Sequence, residues 1–125
     1  FPTRRSSDLL IRCGPRALVR CREERMLRGL WVFPMTEGHR EVREQARELE
    51  RLTGLRPVSP QASGEARHVF THQIWQMRLW RWEGDPEALP LPPYRAVTRR
   101  ELDALPLPTA MRAAREKAFE GEEEG

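Results

Sequence analysis

Two short apolar runs, Leu9 to Cys13 and Ala17 to Cys21, flank Gly14-Pro15. Apolar runs separated by two turn-forming residues predict a β-hairpin. A polar stretch, Arg22 to Arg28, leads to the apolar segment Gly29-Leu30-Trp31-Val32-Phe33. Pro34 ends any strand there, because it has no N–H to give to a ladder. From His39 to Thr53 the spacing becomes helical. Val42, Ala46, Leu49 and Leu52 recur at three- and four-residue steps with charges between them, and Gly54 supplies the stop. Arg56 to Glu65 is rich in Pro, Ser and Gly and predicts a loop. The longest strand candidate follows, His68 to Trp82, with Trp75, Met77 and Leu79 on one face and Gln76 and Arg78 on the other. Gly84 to Pro93 is Pro-rich and predicts another loop, and Tyr94 to Val97 a further strand. Thr98-Arg99-Arg100-Glu101 has the form of a capping box opening a short helix, and Pro108-Thr109 opens a last helix over Ala110 to Phe119. Strands mixed with two or three helices, without internal repeats, indicate an α+β domain.

A chain of 125 residues has room for one compact domain around one core. Its 38% hydrophobic and 33% charged residues suit a modest core beneath a busy surface. No apolar run is long enough to cross a bilayer, and none follows a basic start as in a signal peptide, so a cytoplasmic location is expected. The net charge of +3 is unevenly spread: Glu116 to Gly125 carries −4 and residues 1–8 carry +1, which leaves +6 on the body between. A basic body suits a polyanionic partner, since each neutralised phosphate releases counterions. An Arg-rich composition from a GC-rich genome gives the same charge, and charge alone does not separate the two. Cys13 and Cys21 match no zinc or redox spacing and are read as free thiols.

The first residues, FPTRRSSDL, are similar to one reading frame of a common sequencing adapter. Phe1 to Asp8 are therefore set aside as a non-native segment, and the natural protein is expected to extend upstream. The domain proper then runs over residues 9–119, with residues 120–125 as an acidic disordered tail.

Within the helix, Arg47-Glu48-Leu49 followed by Gly54-Leu55 resembles the second half of a Nudix box, whose pattern closes R-E-U-x-E-E-x-G-U with U a bulky aliphatic residue. In that family the clustered glutamates hold divalent cations against a diphosphate, as hard oxygen donors do. Here Arg51 and Leu52 stand at the two glutamate positions, and the loop before the helix is reduced to Met35-Thr36-Glu37-Gly38. Glu44, Glu48 and Glu50 read as a solvated helix face, and no metal site is expected. The resemblance implies a Nudix-like mixed sheet flanked by helices, with a degenerate Nudix box.

Three further segments narrow the resemblance. Gly29-Leu30-Trp31 with Phe33-Pro34, then His68-Val69-Phe70-Thr71-His72, then Leu107-Pro108-Thr109-Ala110-Met111-Arg112 resemble, in order, three segments of the A/G-specific adenine DNA glycosylases, the MutY family. The resemblance covers nearly all of residues 9–119. It implies the carboxyl-terminal domain, which contacts 8-oxoguanine while an amino-terminal domain removes the adenine mispaired with it. The family's catalytic carboxylates and its four-iron, four-sulfur cluster belong to that other domain in cis, so neither catalytic residues nor a cofactor are expected in this chain. Phe70, Thr71 and His72 would contact the lesion in double-stranded DNA carrying 8-oxoguanine:adenine mispairs. A hydroxyl donates and accepts, so Thr71 suits an altered purine edge; Phe70 offers an apolar surface, and His72 positions the loop or reaches a phosphate. Arg22, Arg25, Arg28 and Arg67 are the expected phosphate contacts.

Taken singly, these residues have plainer readings. Phe70 is then a core residue, Thr71 an ordinary strand residue, and His68 and His72 cap exposed backbone. Trp31, Trp75, Trp80 and Trp82 read as core and rim packing. Two other functions remain as alternatives: a Nudix hydrolase of nucleoside diphosphate derivatives, and a protein-interaction module using the tryptophans and the acidic tail.

Overall fold

The computed structural model describes residues 2–70 and 72–120. Along the chain run β1 (Thr3–Cys13), β2 (Arg16–Cys21), β3 (Trp31–Val32), β4 (Met35–Glu37), α1 (Val42–Thr53), β5 (Val58–Val69), β6 (Ile74–Glu83), β7 (Arg95–Thr98), α2 (Arg99–Asp103), a 3-10 turn (Thr109–Met111) and α3 (Arg112–Ala118). The sheet has the order β3-β2-β1-β6-β5, with β4 also paired to β1 and β7 to β2. It is mixed: β1 and β6 run parallel, and the other pairs are antiparallel. The α+β class with helices flanking a mixed sheet is thus as expected.

Alternation along the strands makes two cores, one on each face. The larger gathers Leu10, Val19, Phe33, Trp75, Met77, Leu79 and Val97 under α2, the 3-10 turn and α3, whose Leu102, Met111 and Ala114 point inward. The smaller gathers Leu9, Ile11, Leu18 and Trp82 against Leu49 of α1. Each large side chain fully buried in this way contributes about 1.5–3 kcal/mol. Arg12 ties the carboxyl-terminal end of α3 to β1. Its guanidinium donates to the Ala118 and Gly14 carbonyls at 3.0 and 2.9 Å and lies over the Phe119 ring at 4.4 Å.

The helix buries Gln45, Leu49 and Thr53, with Ala46 and Leu52 at the margin and Val42 turned outward. Gln45 answers the Trp82 indole, which donates to its Oε1 at 3.2 Å, so a polar residue serves the inner face. Gly54 ends α1 at φ +76°, as the left-handed stop requires. The capping box is present: the Thr98 hydroxyl accepts from the Glu101 N–H at 3.2 Å, and the Glu101 carboxylate accepts from the Thr98 N–H at 3.0 Å. Cys13 is buried, Cys21 half-buried, and both are free thiols. The four tryptophans pack in or beside the two cores.

Four expectations are corrected. Residues 58–65 are not a loop but the first half of β5. Register shifts between Val58 and Gln61 and between Ala62 and Glu65 absorb the turn-forming residues there, and an edge strand tolerates the N–H that Pro60 lacks. The single strand over His68 to Trp82 is two strands, broken after Val69. Met35 to Glu37 form β4, a short strand where the reduced loop was expected. Finally, Thr3 to Asp8 continue β1 and pair in parallel with residues 74 to 79 and, from Ser6, with β4. The ladder is made by backbone groups and does not depend on the side chains it carries. Those side chains suit the core poorly. Ser6, Ser7 and Asp8 are buried, and Ser6 Oγ, both Asp8 carboxyl oxygens and Thr36 Oγ1 on the neighbouring strand β4 have no hydrogen-bond partner. Burial raises the Asp8 pKa to about 7, against the lowering pull of Arg4. Of the expected disordered tail, residues 120–125, all but Glu120 lie outside the described residues; the Glu120 N–H donates to the Lys117 carbonyl at 3.3 Å.

Candidate nucleic-acid interface

Strands β5 and β6 form a hairpin closed by the Phe70 N–H donating to the Gln73 carbonyl at 2.8 Å. Phe70 and Gln73 therefore stand at the tip of the hairpin rather than at a strand start. Thr71 lies outside the described residues, and His72 is exposed. Phe70 is half-buried. Its ring lies 4.7 Å from that of Trp75 and 4.5 Å from that of His68, in a tilted and an edge-on arrangement. It is anchored on the larger core while part of its surface stays open beside the turn. Trp75 is fully buried beneath it, with the Arg4 and Arg22 guanidinium groups 4.8 and 5.8 Å from its ring centre.

The loop between β2 and β3 stands beside this tip, joined by the Gln73 amide donating to the Met26 sulfur at 3.1 Å. Its base is closed by Arg22 N–H to Leu30 O at 2.8 Å and Gly29 N–H to Arg22 O at 2.9 Å, with Gly29 at φ +83°. Arg20 holds both Glu24 carboxylate oxygens at 2.8 Å, and this pairing pulls the Glu24 pKa down to about 2. Arg22 is only 5% exposed and gives its Nε to the Met26 carbonyl at 2.9 Å, with Glu24 3.3 Å from its Nη2. It braces the loop, so its place among the phosphate contacts is corrected: the guanidinium is used internally. Arg25 and Arg28 project from the same loop into solvent, and Arg67 is exposed on β5. Neither Arg20 nor Gln73 was singled out in the sequence, although both fix this geometry; nothing in their spacing marks them.

The three motif segments, far apart in the chain, meet here. The Trp31 N–H donates to the carbonyl of Pro106, the residue just before the third segment, at 2.9 Å. Val32, Phe33, Trp75, Ala110 and Met111 share one core, with Trp31, Phe70 and Leu107 packed on it. A cavity of about 280 Å3 separates the His68 end of the hairpin from Thr109 and Arg112.

On the opposite face, α1 carries the degenerate box. Arg51 is ion-paired with Glu48, which lowers the Glu48 pKa, and Leu52 is half-buried. Glu44 is exposed one turn earlier. A guanidinium occupying the single retained carboxylate does not fit a magnesium site, which asks for several oxygen donors.

A family model for the NUDIX domain matches residues 9–117. The chain belongs to the NUDIX domain family. Among solved structures, the carboxyl-terminal domain of mouse MUTYH, in complex with human PCNA, is 24% identical to this NUDIX domain. That alignment covers 93% of this chain and 84% of that one, with a TM-score of 0.72. The MutT NUDIX hydrolase of Burkholderia pseudomallei is 18% identical over 94% and 98% of the two chains, with a TM-score of 0.73. The MutT protein of Methanosarcina mazei is 20% identical over 98% and 97%, with a TM-score of 0.68. At these identities the likeness is one of fold. No curated protein matches this chain in sequence.

Proposed function

We propose that this NUDIX domain recognises 8-oxoguanine in double-stranded DNA, as the carboxyl-terminal part of an adenine DNA glycosylase of the MutY family. The observation that carries the reading is the meeting of the three motif segments around the β5–β6 hairpin tip. Phe70 lies against the base from a seat on Trp75, Thr71 answers the altered purine edge, and His72 reaches the backbone beside it. Arg25, Arg28 and Arg67 are the phosphate contacts that remain once Arg22 is assigned to the loop. Discriminating one hydrogen-bonding group on a base is worth about 1–3 kcal/mol. Adenine removal, and the iron–sulfur cluster, then belong to a catalytic domain in cis, in a monomeric protein working at the bacterial nucleoid.

The test is binding of the chain, and of Phe70→Ala and Thr71→Ala variants, to duplexes with 8-oxoguanine or guanine opposite adenine. A preference for the oxidised base that either variant abolishes is expected. Equal binding of the two duplexes by the unaltered chain refutes the reading.

The second reading, hydrolysis of nucleoside diphosphate derivatives, is favoured by the near-complete overlap with MutT hydrolases. The Arg51–Glu48 pair weighs against it. Magnesium-dependent turnover of oxidised or ordinary nucleoside triphosphates decides for it.

A further inference from the structure

Helix α1 covers only part of its face of the sheet. Even-numbered residues of β6 point to that side, where Trp80 and Trp82 pack beneath the helix. Gln76 and Arg78, on the same side nearer the hairpin tip, are exposed. The register sets Arg5 and Arg67 on either side of Gln76, and Ser7 and Glu65 on either side of Arg78. A cavity of about 280 Å3 opens among Glu65, Arg67, Gln76, Arg78 and His39. The His39 Nε2 is buried there without a hydrogen-bond partner. Arg78 and Glu65 are only loosely paired, at 3.7 Å, with both side chains largely in solvent.

We propose that this open end of the sheet is a second contact surface, for the phosphate backbone of the duplex beside the lesion. The proposal rests on the DNA-binding part of the preceding reading. The argument is one of charge and spacing. The Arg67 and Arg78 guanidinium groups face a single carboxylate, and Gln76 and the unpartnered His39 nitrogen add hydrogen-bonding capacity between them. The Arg67–Gln76 pair is three residue pairs below the Phe70–Gln73 closure, or about 10 Å at 3.4 Å per residue, and Arg78 is about 17 Å below it. A strand of duplex DNA carries one phosphate per 3.4 Å of axis, so the surface falls about three to five nucleotides from the base at the tip. Glu65 is the opposing charge in this arrangement. A phosphate reaching Arg78 takes its place.

The experiment measures binding of the full chain to the 8-oxoguanine and guanine duplexes across a salt series, by fluorescence anisotropy. Measured against Arg67→Ala alone, the Arg67→Ala Arg78→Ala variant is expected to weaken both complexes further, by a similar factor, and to flatten the plot of log affinity against log salt by up to about 0.9 more, the share of one phosphate. Glu65→Gln is expected to tighten both complexes roughly two- to five-fold, the scale of one exposed ion pair. These side chains are exposed, and near-ultraviolet circular dichroism of the tryptophans verifies the fold of each variant. A salt slope in the double arginine variant equal to that of Arg67→Ala, or weaker binding by Glu65→Gln, overturns the proposal. If the slope flattens but the chain never prefers the oxidised base, the lesion reading falls and this surface stands. If the preference is present and the slope does not move, the reverse holds.

Discussion

Asp8 offers a direct test of how this fold accommodates its amino-terminal strand. Its carboxyl group is fully buried, neither oxygen has a partner, and burial raises its pKa from 3.8 to about 7 despite Arg4. That rise corresponds to about 4 kcal/mol. The sum is large beside the roughly 5–15 kcal/mol that holds a domain together. The folded-state pKa of an acid is raised, so the folded chain binds the proton more tightly than the unfolded one. Below about pH 4 both states are protonated and the penalty is absent. Between about pH 4 and pH 7 the unfolded chain ionises first, and stability falls by about 1.4 kcal/mol per pH unit. Above about pH 7 the full penalty persists. Urea unfolding followed by tryptophan fluorescence across this window, for the unaltered chain and for Asp8→Asn, isolates the carboxyl group. The expected result is a difference curve that climbs in favour of Asp8→Asn and levels near neutrality. Parallel curves for the two proteins refute the assignment of Asp8 to a dry, unpaired site.

Three other substitutions test the local arguments. Gly54→Ala places a Cβ 2.6 Å from Leu91 Cγ at a residue held at φ +76°, so the thermal midpoint drops by the equivalent of about 1–2 kcal/mol. Thr98→Ala removes one half of the capping box and costs about 1 kcal/mol in urea unfolding. Gln45→Ala leaves the buried Trp82 indole N–H without its acceptor and costs about 1–3 kcal/mol, before any loss from the space left behind. A Gln45→Ala chain as stable as the parent would show that the hydrogen bond contributes nothing.

Periodicity carried much of this fold into view. The Gly14-Pro15 hairpin, the helix ending at Gly54, the Thr98 capping box and the face shared by Trp75, Met77 and Leu79 all stand where local chemistry puts them. The misses share a cause. Composition marked residues 56–65 as a loop, yet the long ladder with β6 recruits residues 58–65, and two register shifts take up their irregular backbone. On its other edge β6 recruits Thr3 to Asp8, whose side chains argue against a strand at that place. Core-facing Ser6 and Asp8 are what a strand in this position would least be expected to carry. At the candidate site, the motif order was visible in the sequence, but the brace was not. Arg22 looked like a free loop arginine because nothing in one dimension shows that Trp75, Met26 and Glu24 surround it.

The two faces of the sheet explain how a NUDIX domain can part with its metal helix and keep its shape. Gln45, Leu49 and Thr53 of α1 point inward and hold the smaller core, whereas Glu44, Glu48 and Arg51 point away from it. Exchanging outward carboxylates for Arg51 therefore alters what the helix can bind without disturbing what it packs against. The hairpin tip is built independently, on the other core, from Trp75, Phe33 and Met111. The outer face of α1 and the hairpin tip thus rest on different cores. It follows that restoring glutamates at Arg51 and Leu52 should leave the hairpin, and any lesion preference it confers, as they are. A restored helix that changed that preference would mean the two faces are coupled through the sheet.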